Sequence, residues 1–198
     1  FGSGAAARSV RETARVMNID IGGGTTKIAV CENGELLDLT AVDIGARIVA
    51  LDTEGRLVRL EEAGRKFAEE VGVTLTLGQP VAPEDLARMV DRMAERIFDV
   101  AGNAAPDAIS QSLLRLEPLR ASQLPDVLTF SGGVSEYVYG REAQAYGDLG
   151  PLLAAAVRRK AQAWGPRLEV PDQGIRATVI GASQYTVQVS GSTIYVEP

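Results

Sequence analysis

Three consecutive glycines followed by two threonines lie between two apolar runs near the start of the chain. Glycine has no Cβ and accepts positive φ, so successive backbone N–H groups at such a turn can converge on an anion and approach it closely. Hydroxyl groups beside them add further donors. The pattern therefore predicts a phosphate-binding turn formed by Gly22, Gly23, Gly24, Thr25 and Thr26.

A carboxylate precedes this turn. Met17, Ile19 and Ile21 alternate along the first run, so Asp20 faces the other side of the predicted strand, close to the turn. A carboxylate repels a bare phosphate unless a cation lies between them, and Mg²⁺ is commonly held by one or two carboxylates together with phosphate oxygens and water. We therefore predict that Asp20 holds Mg²⁺.

The alternative is a tight β-hairpin that binds nothing, which is the common role of two glycines between strands. The third glycine counts against it, because each extra glycine costs backbone entropy that a two-residue turn does not require. Two familiar nucleotide signatures are absent. There is no G-x-x-x-x-G-K-[ST] loop, and Lys27 stands where a dinucleotide fingerprint needs its third glycine.

A second glycine turn follows another predicted strand at residues 126–130 and consists of Ser131, Gly132 and Gly133. Ligands of α/β sheets bind at the ends of strands. The two glycine turns are therefore predicted to form opposite walls of one crevice.

Composition excludes several functions. The chain has 198 residues, a net charge of −6, one cysteine and no histidine. This acidity argues against nucleic-acid and anionic-membrane surfaces, which favour clustered Lys and Arg. Cys31 has no partner for an internal disulfide, which suits a reducing cytosol, and no histidine to activate it as a nucleophile. No apolar run is long enough to span a bilayer. Because the first residue is Phe1, we expect a piece of a longer protein.

Periodicity predicts a mixed sheet with helices packed against it. The strands after the central hairpin are expected at 36–42, 126–130, 167–170 and 192–196, with a second small hairpin of 48–51 and 57–60. A first helix is expected from about residue 5, with Ser3 as its candidate cap. Further helices are expected at 61–71, 83–101, 110–116, from about 134, 151–164 and 177–187.

The chain resembles the actin, Hsp70 and sugar-kinase superfamily of ATPases. Residues 20–26 are similar to its second phosphate motif and residues 128–133 to its adenosine motif. The resemblance implies a ribonuclease-H-like α/β lobe, with the first turn at the β- and γ-phosphates of ATP and residues 131–133 at ribose and adenine. A glycine segment after the third strand also approaches the phosphates in that superfamily. Its second glycine is Ala46 here, so only Gly45 is carried over.

Within the superfamily, the chain resembles the EutA family of ethanolamine ammonia-lyase reactivating factors. Residues 177–183 narrow the choice, and accessory proteins of other cobalamin enzymes are similar there. The resemblance implies an ATP-dependent, chaperone-like factor. Such a factor releases damaged cobalamin from ethanolamine ammonia-lyase so that adenosylcobalamin can replace it. A cytoplasmic location is expected, with association with a bacterial microcompartment left open.

The same resemblance divides the chain into two parts. Residues 1–15 correspond to the end of a connection between lobes, and residues 16–198 to a second nucleotide-binding lobe with a small inserted hairpin near 47–60. The first phosphate motif is not found. Because phosphoryl transfer depends on positioning and charge neutralisation, we expect ATPase activity of the full-length protein and weak or no activity of this chain alone. No residue is nominated as a catalytic base.

Three other classes stay open at this point. They are an accessory protein of another cobalamin enzyme, a small-molecule kinase and a cell-division scaffold. Lys27, Arg47 and Glu136 are interpreted as ordinary strand or helix-end charges rather than ligand groups. The oligomeric state is left open.

Overall fold

A computed structural model describes residues 4–120 and 123–171. Helices and strands in chain order are α1 (Ala5–Glu12), β1 (Val16–Ile21), β2 (Thr26–Glu32), β3 (Glu35–Val42), β4 (Val49–Leu51), β5 (Leu57–Leu60), α2 (Glu62–Glu70), α3 (Pro83–Ala101), α4 (Ala108–Leu113), β6 (Val127–Ser131), α5 (Gly133–Val138), α6 (Gly150–Trp164) and β7 (Arg167–Leu168). The predicted cap Ser3, the helix at 177–187 and the strand at 192–196 lie outside the described residues.

Five strands form one sheet in the order β3-β2-β1-β6-β7. The first three strands pair antiparallel, while β6 pairs parallel with β1 and β7 parallel with β6. Helices pack against this mixed sheet, which confirms the predicted α/β fold class. Because β1 and β6 run in the same direction, their carboxyl ends meet at one edge of the sheet, and each of these ends leads into a glycine turn.

Turn chemistry accounts for the hairpin of β2 and β3. Asn33 and Gly34, with φ of 50° and 85°, join β2 to β3 as the Asn-Gly pair predicts. The smaller hairpin of β4 and β5 forms a sheet of its own.

Each face of the sheet has its own apolar core. Met17, Ile19 and Ile21 belong to the larger core, which also contains the apolar faces of α3 and α6. On the opposite face, Val16 packs with Val127 and with the alanines of α1. Alternation along β1 thus buries both faces of the strand, and the polar residues Asn18 and Asp20 share the face on which α1 lies.

Helix α3 is the longest helix described and carries a buried ion-pair network. Its Arg96 side chain, only 3% exposed, pairs with Glu70 of α2 and with Asp107, the residue that caps α4. Hydrogen bonds from the Arg96 guanidinium and from the Ser110 amide hold the pKa of Asp107 well below its ordinary value of 3.8. None of the helices described combines the length and apolarity needed to cross a bilayer.

Strand β7 is shorter than the predicted strand at 167–170, and Tyr139 explains why. The Glu169 amide still donates to the Leu128 carbonyl at 2.9 Å. At the next position, the Phe130 amide donates to the Tyr139 hydroxyl, which in turn donates to the Glu169 carbonyl, each at 2.8 Å. The phenol therefore replaces a direct strand-to-strand hydrogen bond, and burial raises its pKa to about 12.

We predict that Tyr139→Phe destabilises the protein. The variant leaves the Phe130 amide and the Glu169 carbonyl without the bridging hydroxyl, which should lower the free energy of unfolding by about 1 to 2 kcal/mol. Urea denaturation measures this. The control is Tyr146→Phe, which removes a hydroxyl from an exposed side chain and should change the free energy by less than about 0.5 kcal/mol. Equal midpoints for the two variants would contradict the bridge.

We also predict a pH dependence from Asp107. Its folded-state pKa is lowered, so its stabilisation is present above the unfolded value of 3.8 and is lost as the pH falls below it. Asp107→Asn should therefore lower the urea midpoint at neutral pH. It should also reduce the difference between the urea midpoints measured at neutral pH and at about pH 3. If variant and parent lose the same free energy between these pH values, the network does not stabilise the fold through this charge.

Candidate functional site

The second glycine turn packs directly against the end of β1. Gly132 has a φ of 81°, and a Cβ there would lie 2.5 Å from the Ile21 carbonyl oxygen and 2.9 Å from Asp20 Oδ1. Real Cβ atoms do not approach backbone so closely, and positive φ strains residues with side chains. Glycine is therefore required here for both space and conformation.

Gly45 packs against the first glycine turn in the same way. A Cβ at this position would lie 2.5 Å from the Gly23 carbonyl carbon and closer still to its oxygen. The amides of the next two residues, Ala46 and Arg47, donate to the carbonyls of Gly22 and Gly23 at 3.0 and 2.6 Å. The segment predicted to approach a phosphate thus holds the first glycine turn from behind.

These bonds orient the amides of the turn. A trans peptide points its N–H opposite to its C=O, so the N–H groups of Gly23 and Gly24 face away from residues 46–47. Within the described part of the chain, neither of these amides donates to a protein acceptor, whereas the Gly22 amide donates to the Thr25 carbonyl at 2.9 Å. Two glycine amides are thus available to an anion rather than three.

The expected positive φ is not found at Gly22, Gly23 or Gly24. Space explains Gly23 and Gly24 better. A Cβ at Gly24 would meet no atom within 4 Å, and the atoms nearest to one at Gly23 belong to the Arg47 side chain, the closest at 3.3 Å. What the absent side chains provide is room for a ligand next to the backbone.

A cleft of about 430 Å³ lies between the two glycine turns. Its lining includes Gly22 and Gly23 on one side and Gly133 on the other. The remaining lining residues are Ala46, Arg47, Val134, Glu136, Tyr137, Glu142, Tyr146, Asp148 and Gly150. The structure thus brings both predicted turns to one hollow, which is wide enough for a small ligand.

Asp20 does not line the cleft but lies against Gly132, the residue before the lining residue Gly133. Three hydrogen bonds of 2.9 Å support it from behind. Ser131 Oγ donates to Asp20 Oδ2, Asn18 Nδ2 donates to Ser131 Oγ, and Thr129 Oγ1 donates to Asn18 Oδ1. This buried chain of side chains fixes the carboxylate in one orientation.

Two predicted ligand residues have different surroundings from those expected. Ser131 is fully buried, so its hydroxyl reaches Asp20 instead of ribose or adenine. Thr26 is also fully buried and donates to the Ile44 carbonyl at 2.7 Å. Its hydroxyl thus anchors the start of β2 instead of facing a phosphate. Thr25 is partly exposed within the turn.

A magnesium ion at Asp20 fits the donor set. Among the described residues, no group of three or more His, Cys, Asp or Glu side chains is arranged to hold a metal. Mg²⁺ that arrives with a nucleotide needs only one or two carboxylates, since phosphate oxygens and water complete its coordination. One oriented carboxylate meets this requirement.

Residues 141–150 form a wall of the cleft that the sequence analysis did not identify. Glu142 accepts hydrogen bonds from the amides of Gln144 and Ala143 and from the Tyr146 hydroxyl, which lower its pKa. Asp148 accepts from the Gly150 amide at 2.9 Å and pairs with Arg47. The segment has no apolar period, and its local signal is the Gly-Asp-Leu-Gly turn before Pro151.

Comparison with known proteins identifies relatives along the whole chain. The family model described as ethanolamine utilisation protein EutA matches residues 1–198. Two curated relatives are named ethanolamine ammonia-lyase reactivase EutA. The chain is 36% identical to the one from Salmonella typhimurium over 198 residues and 35% identical to the one from Escherichia coli over 199 residues. Each alignment covers 99% of this chain and 42% of the relative, so the chain spans less than half of either.

A solved structure with a similar backbone is MreB 5 of Spiroplasma citri bound to AMPPNP. It is 14% identical, with a TM-score of 0.45 over 96% of this chain and 59% of that chain.

We predict that Gly45→Ala destabilises the turn behind the cleft. The added methyl overlaps the Gly23 backbone, which should lower the free energy of unfolding by about 1 to 3 kcal/mol. The matched control, Gly24→Ala, meets no atom and should stay within about 0.5 kcal/mol of the parent. Thermal melts followed by circular dichroism compare the two. If the melting temperature of Gly45→Ala is no lower than that of Gly24→Ala, the Gly45 segment does not contact the first glycine turn.

Proposed function

The chain belongs to the EutA family of ethanolamine utilisation proteins, and from this we propose that it is the second nucleotide-binding lobe of an ATP-dependent factor that reactivates ethanolamine ammonia-lyase. The names of the two curated relatives support the target enzyme. A chain that spans 42% of those relatives has the length expected of one lobe. In this proposal, residues 1–15 end the connection between lobes and residues 16–198 form the lobe.

The observation that carries the proposal is the cleft that two glycine turns share, with a hydrogen-bonded carboxylate packed against the second turn. We assign the β- and γ-phosphates of ATP to the amides of Gly23 and Gly24, which have no protein acceptor in the described part of the chain. Ribose and adenine are assigned to the side of Gly132 and Gly133. Backbone amides suit this task, since they carry no charge that would have to be desolvated.

Asp20 is assigned to hydrated Mg²⁺. The ion, when bound, neutralises phosphate charge and orients the phosphate oxygens. Ser131 and Asn18 act on this assignment indirectly, because their hydrogen bonds fix the carboxylate that faces the ion. Gly45 acts indirectly as well, because it supports the turn whose amides meet the phosphates.

The lobe binds and orients the nucleotide but holds only part of the catalytic arrangement. Phosphoryl transfer needs charge neutralisation around the whole γ-phosphate. We therefore assign ATP hydrolysis to the complete protein, with this chain alone weakly active or inactive. We propose that ATP hydrolysis by the complete protein drives the release of damaged cobalamin from the lyase, in the cytoplasm or in a microcompartment there.

The decisive experiment is capture of ethanolamine ammonia-lyase by the full-length protein with and without Mg-ATP. We expect capture to depend on Mg-ATP. Gly23→Val should abolish this dependence and weaken Mg-ATP binding in calorimetry, because its branched side chain would crowd the Arg47 stem and the cleft that both residues line. Ala105→Val adds similar bulk at an exposed site away from the cleft and should behave like the parent.

The other outcomes either contradict part of the proposal or indicate a different function. Capture of the lyase that is the same with and without Mg-ATP contradicts the role of an ATP-dependent reactivating factor. Unchanged Mg-ATP affinity in the Gly23→Val variant removes the turn from the nucleotide site. Hydrolysis only in the presence of a small acceptor indicates a kinase, and polymerisation with nucleotide indicates a scaffold.

A further inference from the structure

We propose that Arg47 contacts the β- and γ-phosphates of the bound nucleotide and that Asp148 positions it for this contact. The assignment rests on the proposed nucleotide site and adds a residue that the sequence alone indicates as an ordinary strand or helix-end charge. It is carried by the backbone position, the side-chain contacts and the charge of the cleft.

Arg47 lies directly beside the phosphate-binding turn. Its amide donates to the Gly23 carbonyl at 2.6 Å. Its Cδ lies 3.3 Å from the point where a Cβ of Gly23 would be, so the apolar stem of the arginine runs past the glycine. Arg47 also lines the same cleft as Gly22 and Gly23, so a ligand in that cleft would lie within reach of the guanidinium.

The guanidinium is engaged on one side only. Nε donates to Asp148 Oδ2 at 3.3 Å, and the side chain is 65% exposed. Within the described ranges, its two terminal nitrogens donate to no protein acceptor. The terminal nitrogens carry four N–H donors in a planar fork, which matches the geometry of phosphate oxygens.

Asp148 is well placed to orient this group. Its side chain is only 11% exposed, and its second oxygen accepts from the Gly150 amide at 2.9 Å. The two segments that carry the pair are joined by backbone bonds, from Leu149 to the Ala46 carbonyl at 2.9 Å and from Leu51 to the Gly147 carbonyl at 2.6 Å. The carboxylate is thus a fixed anchor for an exposed arginine.

The charge of the cleft makes this arginine necessary. Its lining contains the carboxylates of Glu136, Glu142 and Asp148, and Arg47 supplies the one positive side chain among the described lining residues. A polyphosphate entering an acidic cleft needs compensating cations close to it. Mg²⁺ at Asp20 would supply one on the side of Gly132, and Arg47 supplies another on the side of Gly23.

A purely structural role predicts different behaviour. An exposed ion pair contributes little to stability, and its loss would leave nucleotide affinity unchanged. A phosphate contact instead predicts a loss that depends on which phosphates the nucleotide carries.

The test uses the full-length protein and calorimetric titration with Mg-ATP, Mg-ADP and AMP. We expect Arg47→Met to weaken Mg-ATP and Mg-ADP binding roughly 10- to 100-fold, the range for hydrogen bonds to a charged group, with at most about a twofold change for AMP. Arg47→Lys keeps the charge without the fork and should give an intermediate loss. Asp148→Asn should weaken Mg-ATP binding by a smaller factor than Arg47→Met.

The matched control is Arg59→Met, which removes an exposed arginine paired with Glu61 on the neighbouring hairpin, outside the cleft. It should bind all three nucleotides like the parent. An unchanged Mg-ATP affinity in Arg47→Met, or equal losses for AMP and Mg-ATP, overturns the assignment of Arg47 alone. An unmodified protein that binds no nucleotide overturns the proposed function and this assignment together.

Discussion

Parallel pairing of β1 with β6 is the constraint on which the site depends. The register sets Asp20 beside Ser131, so the two strands end together and release their glycine turns at one edge of the sheet. An antiparallel arrangement of the same two strands would place the turns at opposite edges. The cleft and the carboxylate next to its second glycine turn therefore follow from one strand pairing between residues more than a hundred positions apart.

Polar side chains of β1 and β6 then orient the carboxylate that this pairing places at the strand ends. Asn18, Thr129 and Ser131 lie on one face of neighbouring strands, where a run of buried polar groups is tolerated only if each finds a partner. They satisfy one another and end at Asp20, which is partly exposed. A fully connected polar chain of this kind fixes the direction of its last member.

Much of this was accessible from the sequence, and the limits have physical causes. Alternation and helical periodicity predicted the strands and helices of the described residues within a few positions, and the glycine turns marked the cleft, because these signals are local. The orientations of the Thr26 and Ser131 hydroxyls depend on which face of the sheet is covered. The role of Tyr139 depends on a strand that pairs thirty residues away. Neither is visible before the chain is folded.

The contact of Gly45 with Gly23 has a consequence for how the family can vary. Where side chains pack, a neighbour can change rotamer and absorb an added methyl group. Here main chain touches main chain, so no rotamer is available to adjust. Sequence drift in this chain should therefore concentrate on the far wall of the cleft, at residues 141–146, where five of the six residues are exposed and a new shape can be accommodated.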